Sequence, residues 1–456
     1  MILETKIALA RAAGALSRRS GRGATSLPGK LLMRMEPRAI ERLARRLPAG
    51  SAVISATNGK TTTAAMVAAI LERGGTRLVH NRAGANMAGG VASELLGAAR
   101  RGDGIDADAG LFEVDEFWLD RVVPQLQPRA LLLANLFRDQ LDRYGELETI
   151  ADRWSAAVAA APQTKLVLNA DDPLVADLGR GSAPGRVTYF GVQDDAMALP
   201  GMAHASDSKH CRRCGAPYVY DSIYMGHMGH YHCPNGDSRR PQPDVYATDV
   251  TLDGTRGARF ELHVGAADAT VALPLPGLYN VYNALGAAAL TSALGASLQQ
   301  IVAGLAATQA AFGRAETVTV GGRELAILLV KNPAGANEVL RTLALDEGEH
   351  DVLAVLNDNI ADGRDISWVW DADFEVIAER VRQVTCSGTR AAELALRLKY
   401  AGIAPARLRV VPGLERGLDA ALGDGAGRLV ALPTYTAMLA LRELLVARGA
   451  AQGSFR

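Results

Sequence analysis

Ala56-Thr57-Asn58-Gly59-Lys60-Thr61-Thr62-Thr63 directly follows a short β-rich run, Ser51-Ala52-Val53-Ile54-Ser55, and opens a helix-forming stretch from Lys60 to Arg73. Strand, glycine-containing loop and helix in that order make a phosphate-binding loop. Gly59 lets backbone amides approach phosphate oxygens, and the helix N-terminus favours an anion. Lys60 reaches the terminal phosphates, and the Thr61 hydroxyl can hold Mg²⁺. The generic pattern asks for glycine at position 54, where this chain has Ile54. A chance Gly-Lys-Thr at a helix start is the bland alternative, and the correct strand and helix context counts against it. Nucleotide binding is the strongest expectation, with Thr57, Asn58, Gly59, Lys60, Thr61 and Thr62 as its contacts.

The same alternation extends outward. Further strand-like runs are 130–134, 166–169, 326–330, 351–356, 383–386, 408–411 and 428–432, with Ala/Leu-rich helices between them. Alternating strands and helices predict a mainly parallel α/β architecture. Cys, His, Tyr and Gly interrupt the pattern from about 200 to 245, as an inserted module would. The expected units are a basic helical segment (1–46), a central nucleotide-binding domain (47–316) carrying an insertion at about 205–242, and a smaller Rossmann-like α/β domain (317–456).

At 456 residues, 48% hydrophobic and 21% charged, the chain has ordinary globular composition, which excludes a disordered or fibrous protein. Lys+Arg and Asp+Glu are 49 each, so no overall basic excess points to nucleic acid. The balance is a cancellation: the first 46 residues hold eleven Lys or Arg against three acids. That front end is read either as a face attracted to an anionic lipid surface or as a solvated face packed on the next domain. It contains a loop at 20–29 between two expected helices. With no run of 18 apolar residues and no signal-like start, the expected location is cytoplasmic, with peripheral contact at the inner membrane face.

Cys211-x-x-Cys214 and, eighteen intervening residues later, Cys233 supply three thiolates for a tetrahedral zinc site in a reducing compartment. A four-cysteine ribbon would continue Cys-Pro-x-Cys-Gly, but here Cys233-Pro234-Asn235-Gly236-Asp237 lacks the fourth cysteine. His230, His232 or His210 is the expected replacement, and a metal-free ribbon is the alternative. Cys386, the one remaining cysteine, has no histidine after it in the chain and is read as packed rather than nucleophilic.

The form Thr-Asn-Gly-Lys-Thr-Thr resembles the Mur ligase superfamily, ATP-dependent ligases that form amide bonds through an acyl phosphate. Phe112-Glu113-Val114-Asp115-Glu116 resembles the segment holding that family's Mg²⁺-binding glutamate, which implies Glu113 beside Thr61 as a magnesium ligand. Asn135 to Tyr144 resembles the family's Asp-His-x-Asp-Arg-Tyr region, with Gln140 where the histidine usually stands. Lys209, beside the cysteines, is the only lysine between Lys165 and Lys331, so the carbamylated lysine that holds a second magnesium in many relatives has no clear counterpart. Pro276 to Asn283 and Gly313 to Glu316 resemble nucleotide-contacting and junction segments, which implies Asn280, Asn283 and Arg314 at the nucleotide. Lys331 stands where related ligases bring C-terminal residues to ATP, and Asn337 is expected to cap the helix that follows.

Within that superfamily, Gly21 to Gly29, Asn81 to Asn86, the cysteine insertion and Asn357 to Asp371 resemble the MurT family of lipid II isoglutaminyl synthase subunits. Arg397 to Gly402 and Pro433 to Met438 fit as well. The resemblance implies an ATP- and Mg²⁺-dependent amidation of the D-glutamate α-carboxylate in the lipid II stem peptide, with the zinc read from the cysteine spacing in a structural role. It also implies ammonia from a separate GatD-type glutaminase, whose Cys-His pair an aspartate of this chain completes. Asp358, Asp362 and Asp365 are the choices, with Asp362 or Asp365 preferred; the alternative is that they only cap the loop and the helix after Trp368. The competing activity is a Mur- or folylpolyglutamate-type ligase that adds an amino acid.

Overall fold

The computed structural model describes residues 3–19, 26–81, 85–100, 102–139, 147–202, 206–309, 315–423, 425 and 427–451. The phosphate-loop strand β1 (Ser51–Ser55) is buried at every position and lies inside a nine-stranded sheet. It pairs with β3 (Ala109–Glu113) and β4 (Ala130–Leu133); β2 (Leu78–His80) lies beyond β3, and β5 (Lys165–Asn169) and β6 (Val187–Val192) beyond β4, all parallel. These strands are near-continuous apolar runs because helices cover both faces of the sheet. Helices Ala88–Ala98, Leu119–Leu126 and Leu147–Ala159 form one core with it, and Lys60–Arg73, Leu278–Ala293 and Leu298–Ala306 the other.

Beyond β6 the sheet departs from the parallel expectation. After a detached hairpin of β7 (Val219–Met225) and β8 (Met228–His232), β9 (Val245–Asp253) joins β6 in parallel. Then β10 (Gly257–Val264) and β11 (Ala267–Leu273) fold back antiparallel. The order across the sheet is β11-β10-β9-β6-β5-β4-β1-β3-β2.

The second sheet runs β12 (Glu316–Val320), β13 (Arg323–Ile327), β17 (Leu429–Pro433), β14 (His350–Val355), β15 (Val381–Ser387) and β16 (Leu408–Val410). It is parallel except for its β12 edge and carries a core on each face. The run expected at 326–330 begins earlier, at Arg323. Leu328 and Val330 still donate to Ala431 and Pro433 of β17, and so carry the chain toward Lys331.

Among the described residues the front end forms three helices rather than two, Leu3–Arg19, Leu27–Met35 and Ala39–Ala44, with Pro37 between the last two. The second packs tightly on Ala88–Ala98. A Cβ on Gly29 would stand 2.0 Å from the Gly89 carbonyl oxygen, and the Gly29 amide donates to Ser93 Oγ at 2.8 Å. Only glycine admits that approach.

Candidate active site

The loop 56–59 turns on Gly59, whose φ is +88°. A Cβ there would lie 2.0 Å from Asn283 Oδ1, so the tight turn and the approach of helix Leu278–Ala293 both require glycine. Asn135 fixes the loop from β4: its Oδ1 accepts from the Asn58 amide at 2.9 Å and its Nδ2 donates to the Asn58 carbonyl at 3.0 Å. Asn283 accepts from Thr63 Oγ1 at 3.2 Å and donates to Asn280 Oδ1 at 3.0 Å. Residues 60–63 thus begin a helix whose free amides face a cavity of about 390 Å³.

That cavity gathers the described nucleotide candidates: Thr57 through Thr62, Asn280, Asn283 and Lys331 all line it. Arg314 and Gln140 lie outside the described residues. The second sheet closes the far wall through Lys331, Gly335, Glu338, Ala361 and Tyr435. Lys331 Nζ donates to the Thr57 carbonyl at 3.2 Å and pairs with Asp139. Asn332, not Asn337, caps the following helix Pro333–Leu345, accepting from the Gly335 amide at 2.9 Å. Asn337 sits inside that helix and donates to Asp373.

Lys60 Nζ donates to Glu116 Oε2 at 2.8 Å and to the Ala56 carbonyl. Burial opposes the ammonium, but the neighbouring Glu116 and Asp115 charges outweigh it and hold its pKa above the ordinary lysine value. Burial likewise disfavours the Glu116 carboxylate, yet Lys60 and Lys331 hold its pKa low. Asp115 is pushed up by burial and by Glu116. A charged Lys60 held beside an exchangeable acid is ready to transfer to a phosphate oxygen.

Thr61 Oγ1 donates to Glu113 Oε2 at 2.8 Å. The other oxygen, Glu113 Oε1, is buried without a hydrogen-bond partner and lies 3.8 Å from His80 Nε2, which is itself unpartnered. A buried carboxylate oxygen left free beside a threonine hydroxyl fits the oxygen-donor set that Mg²⁺ takes alongside phosphate, so Thr61 and Glu113 fit the implied ion.

Glu338, on the far wall, has its pKa pushed up to about 7 by burial, which Arg341 at 2.6 Å only partly offsets. A folded pKa above the unfolded one stabilises most below the unfolded pKa, and that contribution is lost as pH rises through the folded pKa. Between pH 5 and 8 this group should cost about 2–3 kcal/mol of stability. Glu338→Gln should remove that slope; equal pH dependence of thermal unfolding in variant and parent would refute it.

The three ribbon sulfurs lie within 4.8 Å of one another, Cys214 and Cys233 at 3.4 Å, close enough to share one tetrahedral ion. None of the three expected histidines completes this group among the described residues. His230 Nε2 lies 3.0 Å from the Val192 carbonyl, and His232 Nδ1 3.5 Å from Asp221. The hairpin strands turn both rings away. Cys386 is buried, with its pKa pushed up to about 12 by burial, a packed thiol rather than a nucleophile.

The three aspartates separate clearly. Asp362 is buried and accepts from the Thr436 amide at 2.7 Å and from its hydroxyl. Asp358 is held by Thr389 Oγ1 at 2.8 Å and by Arg390 at 3.4 Å. Asp365 is exposed and accepts from the Ser367 amide at 2.8 Å; the Ser367 amide and hydroxyl keep its carboxyl below the usual range.

Sequence reasoning missed Glu116, Asp139, Glu338 and His80 as parts of this site. The acid-rich run 113–116 was a visible signal for the first. Asp139 had one too, in the 135–144 segment; Glu338 and His80 are brought in by elements distant in the chain.

A phosphate loop facing a second α/β domain across one cavity defines an ATP-dependent ligase of the Mur type, and the comparisons agree. The Mur ligase middle domain family matches residues 54–235, and the MurT ligase C-terminal family matches 329–438. The chain belongs to the MurT family. It is 32% identical over 94% of both chains to the MurT subunit of lipid II isoglutaminyl synthase from Streptococcus pneumoniae, and 34% identical over 97% of both to that of Staphylococcus aureus strain N315. Among solved structures it is similar to a pseudomurein peptide ligase type C from Methanothermus fervidus, with TM-score 0.66 and 22% identity over 87% of this chain and 78% of that one. It also resembles Mycobacterium tuberculosis folylpolyglutamate synthase, with TM-score 0.61 and 17% identity over 92% and 98%.

Proposed function

We propose that the chain is the amidating subunit of a lipid II isoglutaminyl synthase, converting the α-carboxylate of the stem-peptide D-glutamate to an amide with ATP and ammonia. The observation carrying this is the shared cavity: phosphate-loop residues on one wall face Lys331, Glu338, Ala361 and Tyr435 of the MurT-type domain across it. The carboxylate takes the γ-phosphoryl group from ATP, ammonia attacks the acyl phosphate, and phosphate leaves. Lys60 moves from Glu116 to the phosphate oxygens and stabilises charge developing there. Mg²⁺ held by Thr61 and Glu113 would neutralise further phosphate charge. The domain across the cavity excludes water that would hydrolyse the acyl phosphate.

In the same reading, residues 1–46, 47–316 and 317–456 act as the units set out above, and ammonia comes from a GatD-type glutaminase. Trp370, five residues beyond Asp365, and Tyr400 are both exposed with ring centroids 5.9 Å apart, and form an aromatic surface of the kind that anchors partners. That placement favours Asp365 over the enclosed Asp362 as the carboxylate offered to the partner's histidine. The three sulfurs hold a structural zinc, the fourth position being filled by a non-histidine donor. Metal analysis should find about one zinc per chain, and Cys233→Ser should lose it and melt at lower temperature; full zinc content in that variant would refute the assignment.

The test of function is reconstitution of the chain and its glutaminase partner with lipid II, ATP, Mg²⁺ and either glutamine or ammonia. Mass spectrometry should find isoglutamine in the stem peptide. ATP turnover driven by a free amino acid, without ammonia or partner, would instead establish an amino-acid-adding ligase.

A further inference from the structure

The outward face of helix Leu3–Arg19 has no charged side chain from residue 5 to residue 16 that reaches solvent unengaged. Leu3, Ile7 and Ala10 form the inner face and are buried. The exposed positions are Thr5, Ala8, Leu9, Ala12, Ala15 and Leu16, together with Arg11. The Arg11 guanidinium turns back to cap helix Ala88–Ala98, donating to the carbonyls of Leu96 at 2.7 Å and Gly97 at 3.3 Å. Lys6 is paired with Glu36 at 3.0 Å, which also sets the next helix antiparallel to the first.

A helix at a water interface ordinarily puts its charges on the face away from the core. This one instead presents Leu9 and Leu16, 48% and 66% exposed, and Leu27, 48% exposed, begins the next helix. Lys30 and Arg34 follow Leu27 at helical spacing, are exposed, and have no ion-pair partner among the described residues. Apolar insertion flanked by free cations is the pattern of a helix lying on an anionic lipid surface. Among the described residues no helix is long and apolar enough to cross a membrane.

We propose that this hairpin docks the protein on an anionic phospholipid bilayer, with Leu9, Leu16 and Leu27 at the headgroup boundary and Lys30 and Arg34 against phosphates. Charge complementarity orients it, because the first 46 residues carry an excess of eight positive charges in a chain of zero net charge. The hairpin packs on the helix that begins at the cavity rim. Gly29 touches Gly89, two residues beyond Met87, which lines the cavity and is itself exposed. Docking there holds the rim at the bilayer, where a lipid-linked carboxylate is presented; that last step rests on the function proposed above.

The experiment is flotation of the full chain, without nucleotide or substrate, with vesicles of phosphatidylglycerol and phosphatidylcholine or of phosphatidylcholine alone. The chain should bind the anionic vesicles, and salt should weaken the binding. Leu9→Glu/Leu16→Glu and Lys30→Glu/Arg34→Glu should each lower partitioning by about tenfold or more, while thermal unfolding and amidation of detergent-solubilised substrate stay as in the parent. Equal binding to neutral vesicles, or parental binding by both variants, would overturn the proposal. Absence of vesicle binding, with a dimer that Leu9→Glu/Leu16→Glu dissociates, would assign the face to a second copy and also overturn it. Vesicle binding without amidation would leave this inference standing and remove the functional one; amidation without vesicle binding would do the reverse.

Discussion

Lys60→Ala is expected to lower ATP-dependent amidation by about a thousandfold or more, because it removes the fixed cation beside the transferring phosphoryl group. The substitution has a second consequence that must be separated from the first. Glu116 is buried and its Oε2 accepts from Lys60 at 2.8 Å. Losing one partner of such a pair leaves a charge to be buried without compensation, at a cost of about 3–5 kcal/mol, which Lys331 nearby would reduce. Lys60→Ala/Glu116→Gln removes both charges and should restore thermal stability without restoring rate. Measuring melting temperature and kcat for both variants resolves the two effects. A variant lacking Lys60 that retained isoglutamine formation would reduce the phosphate loop to a structural nucleotide site.

The second large effect concerns nitrogen supply. Asp365→Asn should lower the glutaminase activity of the complex by about a hundredfold to ten-thousandfold, since a neutral amide no longer holds the partner's histidine in its working tautomer or stabilises its cation. Amidation from added ammonia should survive, because Asp365 is exposed and its recorded hydrogen bond is local, to Ser367. Asp362→Asn should behave differently. It weakens the contact with the Thr436 amide at the start of helix Tyr435–Ala447, costing about 1–2 kcal/mol of stability, so both activities should fall together. Unchanged glutamine hydrolysis in the Asp358, Asp362 and Asp365 variants would refute an aspartate contribution from this loop.

The sequence made the phosphate loop legible because strand, turn and helix start are encoded within about twenty contiguous residues. The buried parallel strands were readable for a related reason: β1, β4 and β14 are buried at every position and, apart from Ser51, Ser55, His350 and Asp351, read as apolar runs. The antiparallel β9–β11 extension was not. Its residues alternate between core and solvent, and the pairing is broken opposite Asp249, whose φ is +50°, by a register shift between Arg259 and Glu261. The helix cap at Asn332 was visible in principle, since Pro333 marks a first helical position, but Asn337 was read in its place. Glu116 acts on a lysine 56 positions away and Asp139 on one 192 positions away. No local pattern encodes such pairings: the first arises when β1 pairs with β3 inside one sheet, the second when the C-terminal domain folds over that sheet.

Asn58 and Asn332 join the two sheets through a reciprocal amide pair, with Nδ2 to Oδ1 distances of 3.3 Å and 3.0 Å. Both amides can exchange those bonds for water, so the pair is worth only about 1–2 kcal/mol net. A latch of that strength, taken alone, leaves the open form populated at several per cent. The pair does not act alone: Lys331 bridges the same walls through Asp139 and the Thr57 carbonyl, so a nucleotide that draws Lys331 to its phosphates would exchange one cross-wall contact for another rather than simply releasing the latch.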